Sequence, residues 1–156
     1  MGEPVPASSR ILLASNRGNK SLTIHVHGTD VETLRCDISL WSALPYLSET
    51  ESTTVVARDV ALSRTELCAL TSCVEAWLAL PLDSMAVTPL KAAVDLGIAP
   101  NYSLNVEIQG GQLGHTNVSI ALDQHGVYSE IWMYCDQSCW RLFCDAVHNV
   151  DRQFGS

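Results

Sequence analysis

Apolar and polar residues alternate one by one along the first third of the chain, a pattern typical of strands that bury one face. Residues 21–27 and 34–40 alternate strictly, and residues 11–13 and 53–60 form two further apolar or β-branched runs. A turn signal separates the first two runs, which predicts a hairpin. Four strands are therefore expected before the first helix.

The period changes from two to about 3.6 residues after Ser63. Ser63 and Glu66 have the spacing of a capping box, in which each side chain accepts a hydrogen bond from the other residue's backbone amide. A helical stripe of apolar residues follows, and Pro81 ends the helix. The stripe consists of Leu67, Leu70, Val74, Trp77 and Leu78.

The second half of the chain begins with an ambiguous segment, residues 84–100. Pro89 is typical of the first turn of a short helix, which would end at Gly97. The alternation that follows Pro89 instead favours a strand with this proline at its edge. Three more alternating runs then predict strands over residues 102–108, 118–122 and 127–134.

A second helical stripe predicts a C-terminal helix over about residues 136–151. Its apolar positions are Trp140, Phe143, Val147 and Val150. Because strands, helix, strands and helix follow one another with short turns between neighbouring strands, the expected fold class is α+β. We expect a mostly antiparallel, twisted β-sheet with one central helix and one C-terminal helix, in a single domain over residues 10–156 after a flexible tail at 1–9.

Composition and charge narrow the functional classes. Hydrophobic residues make up 47% of the 156 residues, and no signal peptide is visible. No apolar run approaches the length of about 18 residues that spans a bilayer, so no membrane association is expected. The six cysteines are expected to be reduced thiols in a cytoplasmic protein. A net charge of -8 without a basic cluster argues against nucleic acid and favours a basic protein partner.

Two groups of residues could in principle hold a metal ion. His25 and His27 lie on one face of a predicted strand, about 7 Å apart, but no further ligand is identifiable. The spacing of Cys135, Cys139, Cys144 and His148 also resembles a ligand set. On a helix, however, two cysteines five residues apart diverge by about 140°. A polar sheet face and core cysteines are the simpler explanations, so neither a cofactor nor a catalytic residue is expected.

The acidic residues are more informative as a surface. Two polar loops, one of them over residues 42–52, carry acidic and aromatic side chains that are candidates for binding a basic protein. The candidate partner-binding residues are Asp30, Glu32, Trp41, Tyr46, Glu49 and Glu51. Trp132 and Tyr134 share one face of a later strand, which a second layer could also cover. The alternative explanation for the acidic residues is solubility.

Five short segments carry a family resemblance, namely SLTIHVHG at residues 21–28, CDISL at 36–40, DVAL at 59–62, TELCAL at 65–70 and EAWL at 75–78. Together with the strand and helix pattern that follows, they resemble the small bacterial immunity proteins of wall-associated and Rhs-type polymorphic toxins. The resemblance covers about residues 20–152 and implies a twisted antiparallel sheet with a central helix that ends in a Trp-Leu pair. It implies no toxin-contacting residue, because the family has no contact motif that maps onto this chain.

The first hypothesis is therefore a non-enzymatic acidic binding protein, an immunity-type inhibitor that occludes the active site of a basic toxin. The second is a His/Cys metal-dependent protein or small enzyme, which would carry stoichiometric zinc. The third is a structural or adaptor domain that self-associates through an exposed sheet edge. The oligomeric state stays open in the sequence.

Overall fold

A computed structural model of the chain describes residues 9–44, 51–98, 102–110 and 114–154. Eight strands and three helices form an α+β fold, so the predicted class is confirmed. The strands are β1 Arg10–Ala14, β2 Lys20–Thr29, β3 Thr33–Leu44, β4 Glu51–Ser63, β5 Ala92–Asp95, β6 Tyr102–Gly110, β7 Thr116–Gln124 and β8 Val127–Cys135. The helices are α1 Arg64–Leu78, α2 Leu82–Val87 and α3 Gln137–Phe154.

The strands form two antiparallel sheets of four strands each, in the orders β1-β2-β3-β4 and β5-β6-β7-β8. Each sheet is a meander in which every strand pairs with its neighbour in sequence. A long helix follows each meander, so the order of elements is repeated although the sequence shows no repeat. The sequence predicted a single sheet, but α1 and α2 interrupt the strand order between β4 and β5.

Backbone hydrogen bonds join the two sheets at two places. Leu62 near the end of β4 forms an isolated bridge with Gly97, and the Ser63 amide donates to the Leu96 carbonyl oxygen at 2.8 Å. On the other side, the Asn16 amide in the β1–β2 turn donates to the Tyr134 carbonyl oxygen at 2.8 Å. The two meanders are therefore held edge to edge.

The N-terminus of α1 shows half of the predicted capping box. The Ser63 hydroxyl accepts a hydrogen bond from the Glu66 amide at 3.1 Å, as the sequence predicts. The reciprocal bond from the Ser63 amide goes to the Leu96 carbonyl instead of the Glu66 side chain. The prediction was wrong on that point because the second sheet supplies a backbone acceptor at this position.

One hydrophobic core extends across both sheets and both long helices. The predicted apolar stripes of α1 and α3 are buried in it. Each helix also contacts the first strand of the opposite sheet, α1 on β5 and α3 on β1. Trp140 and Phe143 of α3 meet edge to face with ring centroids 5.6 Å apart. The Trp140 indole donates to the Thr116 hydroxyl at 2.9 Å, which satisfies its one polar group inside the core.

The segment over residues 84–100 differs from both sequence interpretations. Residues 82–87 form α2, and the strand is confined to β5, so Pro89 lies outside it. The C-terminus of α1 explains this arrangement, since the Trp77 indole donates to the Thr88 carbonyl oxygen at 3.0 Å. This bond holds the chain against α1 until β5 begins.

All six cysteines are free, as expected. Cys36, Cys135 and Cys144 are buried, whereas Cys68 and Cys73 are exposed. Cys73 lies on the side of α1 that faces solvent. Burial raises the pKa of Cys36 and Cys144 to about 12, so these thiols stay protonated at neutral pH and are weak nucleophiles.

Two further observations concern the ends of the chain and its helices. Residues 1–8 of the expected tail lie outside the described residues, and Ser9 is buried just before β1. Within the described ranges, no helix has both the length and the apolar character that a bilayer crossing requires.

Candidate binding face

The second sheet has a solvent-facing side that is rich in carboxylates. We call the outward side chains of β5–β8 the anionic face. Its members are Ala93, Asp95, Ser103, Asn105, Glu107, Gln109, Asn117, Ser119, Ala121, Asp123, Tyr128, Glu130, Trp132 and Tyr134. Most of the alternate residues of these strands point into the core. All four strands are fully described, and their outward positions carry four acidic residues and neither Lys nor Arg.

Three aromatic side chains of the anionic face lie along its edge strand, β8. Tyr128, Trp132 and Tyr134 are 60%, 58% and 69% exposed. No helix or second sheet layer within the described ranges covers them. A row of exposed large aromatic residues is unusual on a soluble surface unless it binds something.

A shallow groove of about 430 Å³ crosses the anionic face beside these aromatic residues. Strand register creates it, because Ser119 of β7 lies between Glu107 of β6 and Trp132 of β8. Ala121 lies next to Ser119 on the same face and opposite Glu130. The floor is therefore made of small side chains, and the walls are carboxylates and an indole ring.

Glu130 is held in position by two hydroxyl groups. The Ser119 hydroxyl donates to Oε1 at 3.2 Å, and the Tyr128 hydroxyl donates to Oε2. The hydrogen bond to Glu130 raises the pKa of Tyr128, so this donor stays protonated at neutral pH. Each carboxylate oxygen can accept a further hydrogen bond.

The other carboxylates of the anionic face differ in the hydrogen bonds that they accept from the protein. Asp95 accepts bonds from the backbone amides of Gly97 and Leu104 at 3.0 and 3.2 Å, so it serves the turn after β5. Glu107 accepts one bond, from the side-chain Nε2 of Gln109 at 3.2 Å. A cation lies at the border, since Lys20 Nζ donates to the Trp132 carbonyl oxygen at 2.6 Å. Glu107 and Glu130 are thus the acids best placed to meet a ligand.

On the corresponding face of the first sheet, polar side chains bond to groups of the same sheet. The register of β2–β3 shifts at His27, and that of β3–β4 shifts at Asp37. Asp37 joins the two irregularities, because Oδ1 accepts the Asp59 amide at 2.8 Å and Oδ2 lies 3.0 Å from His27 Nε2. These contacts, first the Asp59 amide and then His27, lower the pKa of Asp37.

The structure brings the candidate metal ligands together only in pairs. The His25 and His27 rings are 5.2 Å apart, but His27 is engaged with Asp37. Cys144 and His148 share a side of α3, whereas the Cys139 thiol lies 3.3 Å from Asn16 Oδ1. Among the described residues there is no group of three or more His, Cys, Asp or Glu that could hold a metal ion.

The structure separates the acidic loops that the sequence singled out. Asp30 and Glu32 are exposed in the β2–β3 turn, where their carbonyl oxygens accept bonds from Arg64 at 2.9 Å. Trp41 is half-buried toward the other end of β3, about 26 Å along the strand from that turn. Glu51 begins β4 near Trp41. The remaining two candidates, Tyr46 and Glu49, lie outside the described residues.

The groove residues were not recognised together in the sequence. Trp132 stood out in the sequence, whereas Glu107, Ser119 and Glu130 were not among the candidate binding residues. The alternation of β6, β7 and β8 already placed all four on outward faces. What was missing was the register between strands, which decides that they are neighbours.

Comparison with known proteins yields no relative. No protein-family model, no curated protein and no solved structure matches this chain significantly. The functional argument therefore rests on the geometry and charge of the anionic face.

Proposed function

We propose that the protein is a non-enzymatic binding protein, an immunity-type inhibitor that occludes the basic active site of a toxin. The anionic face carries this proposal, because it combines four carboxylates with three exposed aromatic rings and has no cationic side chain among its outward positions. The sequence resemblance to immunity proteins points in the same direction.

Charge and aromatic surface contribute to binding in different ways. A net charge of -8 steers a basic partner toward the protein and raises its association rate, an effect that salt weakens. Exposed Trp and Tyr side chains provide apolar contact area with few rotatable bonds to immobilise. A basic active-site cleft that is covered by such a face is closed to its own anionic substrate.

Self-association is a second candidate function, favoured by the edge of β4. This strand has 13 residues and pairs along its length only with β3. In the described residues, its other edge is bonded to the second sheet only near Leu62. A long open edge is able to pair with the same strand of a second copy. Size-exclusion chromatography with light scattering tests this, and a monomer at high concentration contradicts it.

The inhibitor proposal is tested by capture followed by a functional assay. The tagged chain is used as bait in an extract of its native host, and bound proteins are eluted in steps of rising salt. We expect one dominant basic protein that elutes only at high salt. That protein is then expressed in a growth assay with and without this chain. Restored growth supports the proposal, whereas a partner that stays fully active in the complex contradicts it.

Two charge-matched baits locate the interface. One carries Glu107→Gln and Glu130→Gln, and the other carries Asp30→Asn and Glu32→Gln. Both change the net charge by the same amount. We expect the first bait to lose the partner and the second to retain it. The reverse result would move the interface to the β2–β3 turn.

A further inference from the structure

We infer that the groove between Glu107, Glu130 and Trp132 receives a single arginine side chain of the protein partner. This inference rests on the proposed function and specifies how its surface recognises a basic protein. The groove offers three features that act on one guanidinium group: an aromatic wall, an oriented carboxylate and a second carboxylate across a floor of small side chains.

The dimensions of the groove suit a planar cation. Strands of one sheet lie about 4.8 Å apart, so the backbones of Glu107 and Trp132 are about 10 Å apart with Ser119 between them. Residues two apart on one strand are about 7 Å apart, which places Glu130 next to Trp132 along β8. A guanidinium group that stacks on the indole ring therefore has carboxylates on two sides.

The chemistry of Glu130 favours arginine over lysine. The hydroxyl groups of Ser119 and Tyr128 each occupy one carboxylate oxygen and hold the group in a fixed orientation. Each oxygen retains an acceptor position, so a guanidinium can approach with two parallel N–H donors. The same planar group stacks on the Trp132 ring. An ammonium group has a single charged centre and cannot adopt both geometries at once.

The surroundings of the groove favour a protein segment over a small free cation. Tyr128 and Tyr134 extend the aromatic row on both sides of the groove, over about 20 Å of β8. Such a row provides contact area for an extended chain on either side of the inserted arginine. Aromatic residues around a central charged anchor are common in protein interfaces.

Peptide titration tests the inference directly. The probe is a capped peptide of glycine and serine residues with one central arginine, and it is titrated into the ¹⁵N-labelled full chain. The indole signal of Trp132 is assigned with the Trp132→Phe variant. We expect this signal to shift saturably. A lysine peptide should bind about fivefold more weakly, and a citrulline peptide, which is planar but uncharged, should not shift it.

Variants of the protein distinguish binding in the groove from attraction by the overall negative charge. Glu130→Gln should weaken binding of the arginine peptide about tenfold. Tyr128→Phe removes a positioning hydroxyl and no charge, and it should weaken binding about threefold and reduce the preference over lysine. The control Glu32→Gln makes the same charge change on the β2–β3 turn and should leave binding unchanged. Amide spectra of all variants check that the fold is retained.

The inference is overturned if the arginine and lysine peptides bind equally or if Glu32→Gln acts like Glu130→Gln. Its failure differs from failure of the proposed function. If the peptides do not discriminate but the captured toxin is still inhibited, the inhibitor function stands without the arginine site. If the arginine peptide binds as expected but no captured partner is inhibited, the site stands and the inhibitor function falls.

Discussion

The two sheets are built alike on their inner sides and differently on their outer sides. Each is a four-stranded meander whose inward residues join one common core, and each is followed by a long helix. Outside, the first sheet carries arginine, histidine and aspartate side chains that contact one another. The second carries carboxylates and aromatic rings without a cation among its outward positions.

Backbone regularity explains part of this difference. The first sheet has two register shifts side by side, at His27 and Asp37, and its pairs are irregular there. The second sheet pairs without any such shift. Asp59, opposite Asp37, has a positive φ of 55°, and its amide is held by the Asp37 carboxylate. Polar residues on the outward side of the first sheet therefore bond to one another and to the backbone where the strand register shifts.

The contrast shows how to distinguish structural polar residues from binding residues on a sheet. Asp37 has its two oxygens occupied by groups of its own sheet, and loss of it should affect stability. Glu107 and Glu130 accept bonds only from side chains and serve no backbone amide. Loss of these two should affect binding and leave stability nearly unchanged.

The largest expected effect is the difference between replacing a buried and an exposed tryptophan in the second half of the chain. Trp140 is 0% exposed, so Trp140→Ala should lower the free energy of unfolding by about 3–5 kcal/mol. Trp132 is 58% exposed, and Trp132→Ala should change it by less than about 0.5 kcal/mol. Urea denaturation followed by circular dichroism measures both. A large cost for Trp132→Ala would show that the anionic face supports the fold.

The next effect concerns charge reversal on the two outer faces. The double variant Glu107→Lys and Glu130→Lys should lower affinity for the captured basic partner about 100-fold, because attraction becomes repulsion in a buried contact. Arg10→Glu, on the outer face of the first sheet, should change it by less than about threefold. Surface plasmon resonance at two salt concentrations measures both. If net charge alone directed binding, Arg10→Glu would raise the affinity, by about half as much on a logarithmic scale as the double variant lowers it.

One glycine in each sheet tests how closely neighbouring segments pack against the strand backbone. A Cβ on Gly110 would overlap Pro89 and lie 2.5 Å from the Leu90 nitrogen, so Gly110→Ala should cost about 1–3 kcal/mol. A Cβ on Gly28 would have no neighbour within 4 Å, and Gly28→Ala should be neutral within about 0.5 kcal/mol. Thermal unfolding compares the two. Similar losses of stability in the two variants would show that the segment around Pro89 and Leu90 moves to accommodate a Cβ on residue 110.

The smallest effect tests the structural role of the first outer face. Asp37→Ala should lower the free energy of unfolding by about 1 kcal/mol at pH 7, because the Asp59 amide loses its acceptor. The pKa of Asp37 lies below its usual 3.8 in the folded chain. The ionised carboxylate therefore stabilises the fold above that value, and the contribution is lost as pH falls through the lowered pKa.

Urea denaturation at a series of pH values measures this dependence. The difference between the wild-type chain and Asp37→Ala should shrink below about pH 4. Glu107→Ala is the matched control on the second sheet and should cost less than about 0.5 kcal/mol at every pH. A constant difference down to strongly acidic pH would contradict the role of the Asp37 carboxylate.

Local pattern predicted much of the fold. The alternation of β2 and β6 and the apolar stripes of α1 and α3 gave these elements with small errors at their ends. These signals depend on neighbours within about four residues, so they can be recognised without tertiary information. The helix α2 was missed because six residues are too few to display a helical period.

The candidate site was predictable only in part. The sequence showed that Trp132 and Tyr134 share a face, and the structure exposes both. It grouped Asp30 and Glu32 with Trp41 as binding residues, whereas the structure places them toward opposite ends of β3. The sequence does not show how far apart two polar segments lie. Segments at the two ends of one long strand are well separated in space.

The sequence by itself determined which residues face inward, where the long helices begin and that the surface is acidic, because each of these follows from composition or from the spacing of near neighbours. Only the tertiary structure decided that the strands divide into two sheets and that Glu107, Ser119 and Trp132 lie in one row. Strand register depends on how separate segments pack together. The same holds for Asp37, whose role is set by a backbone amide 22 residues away in the chain.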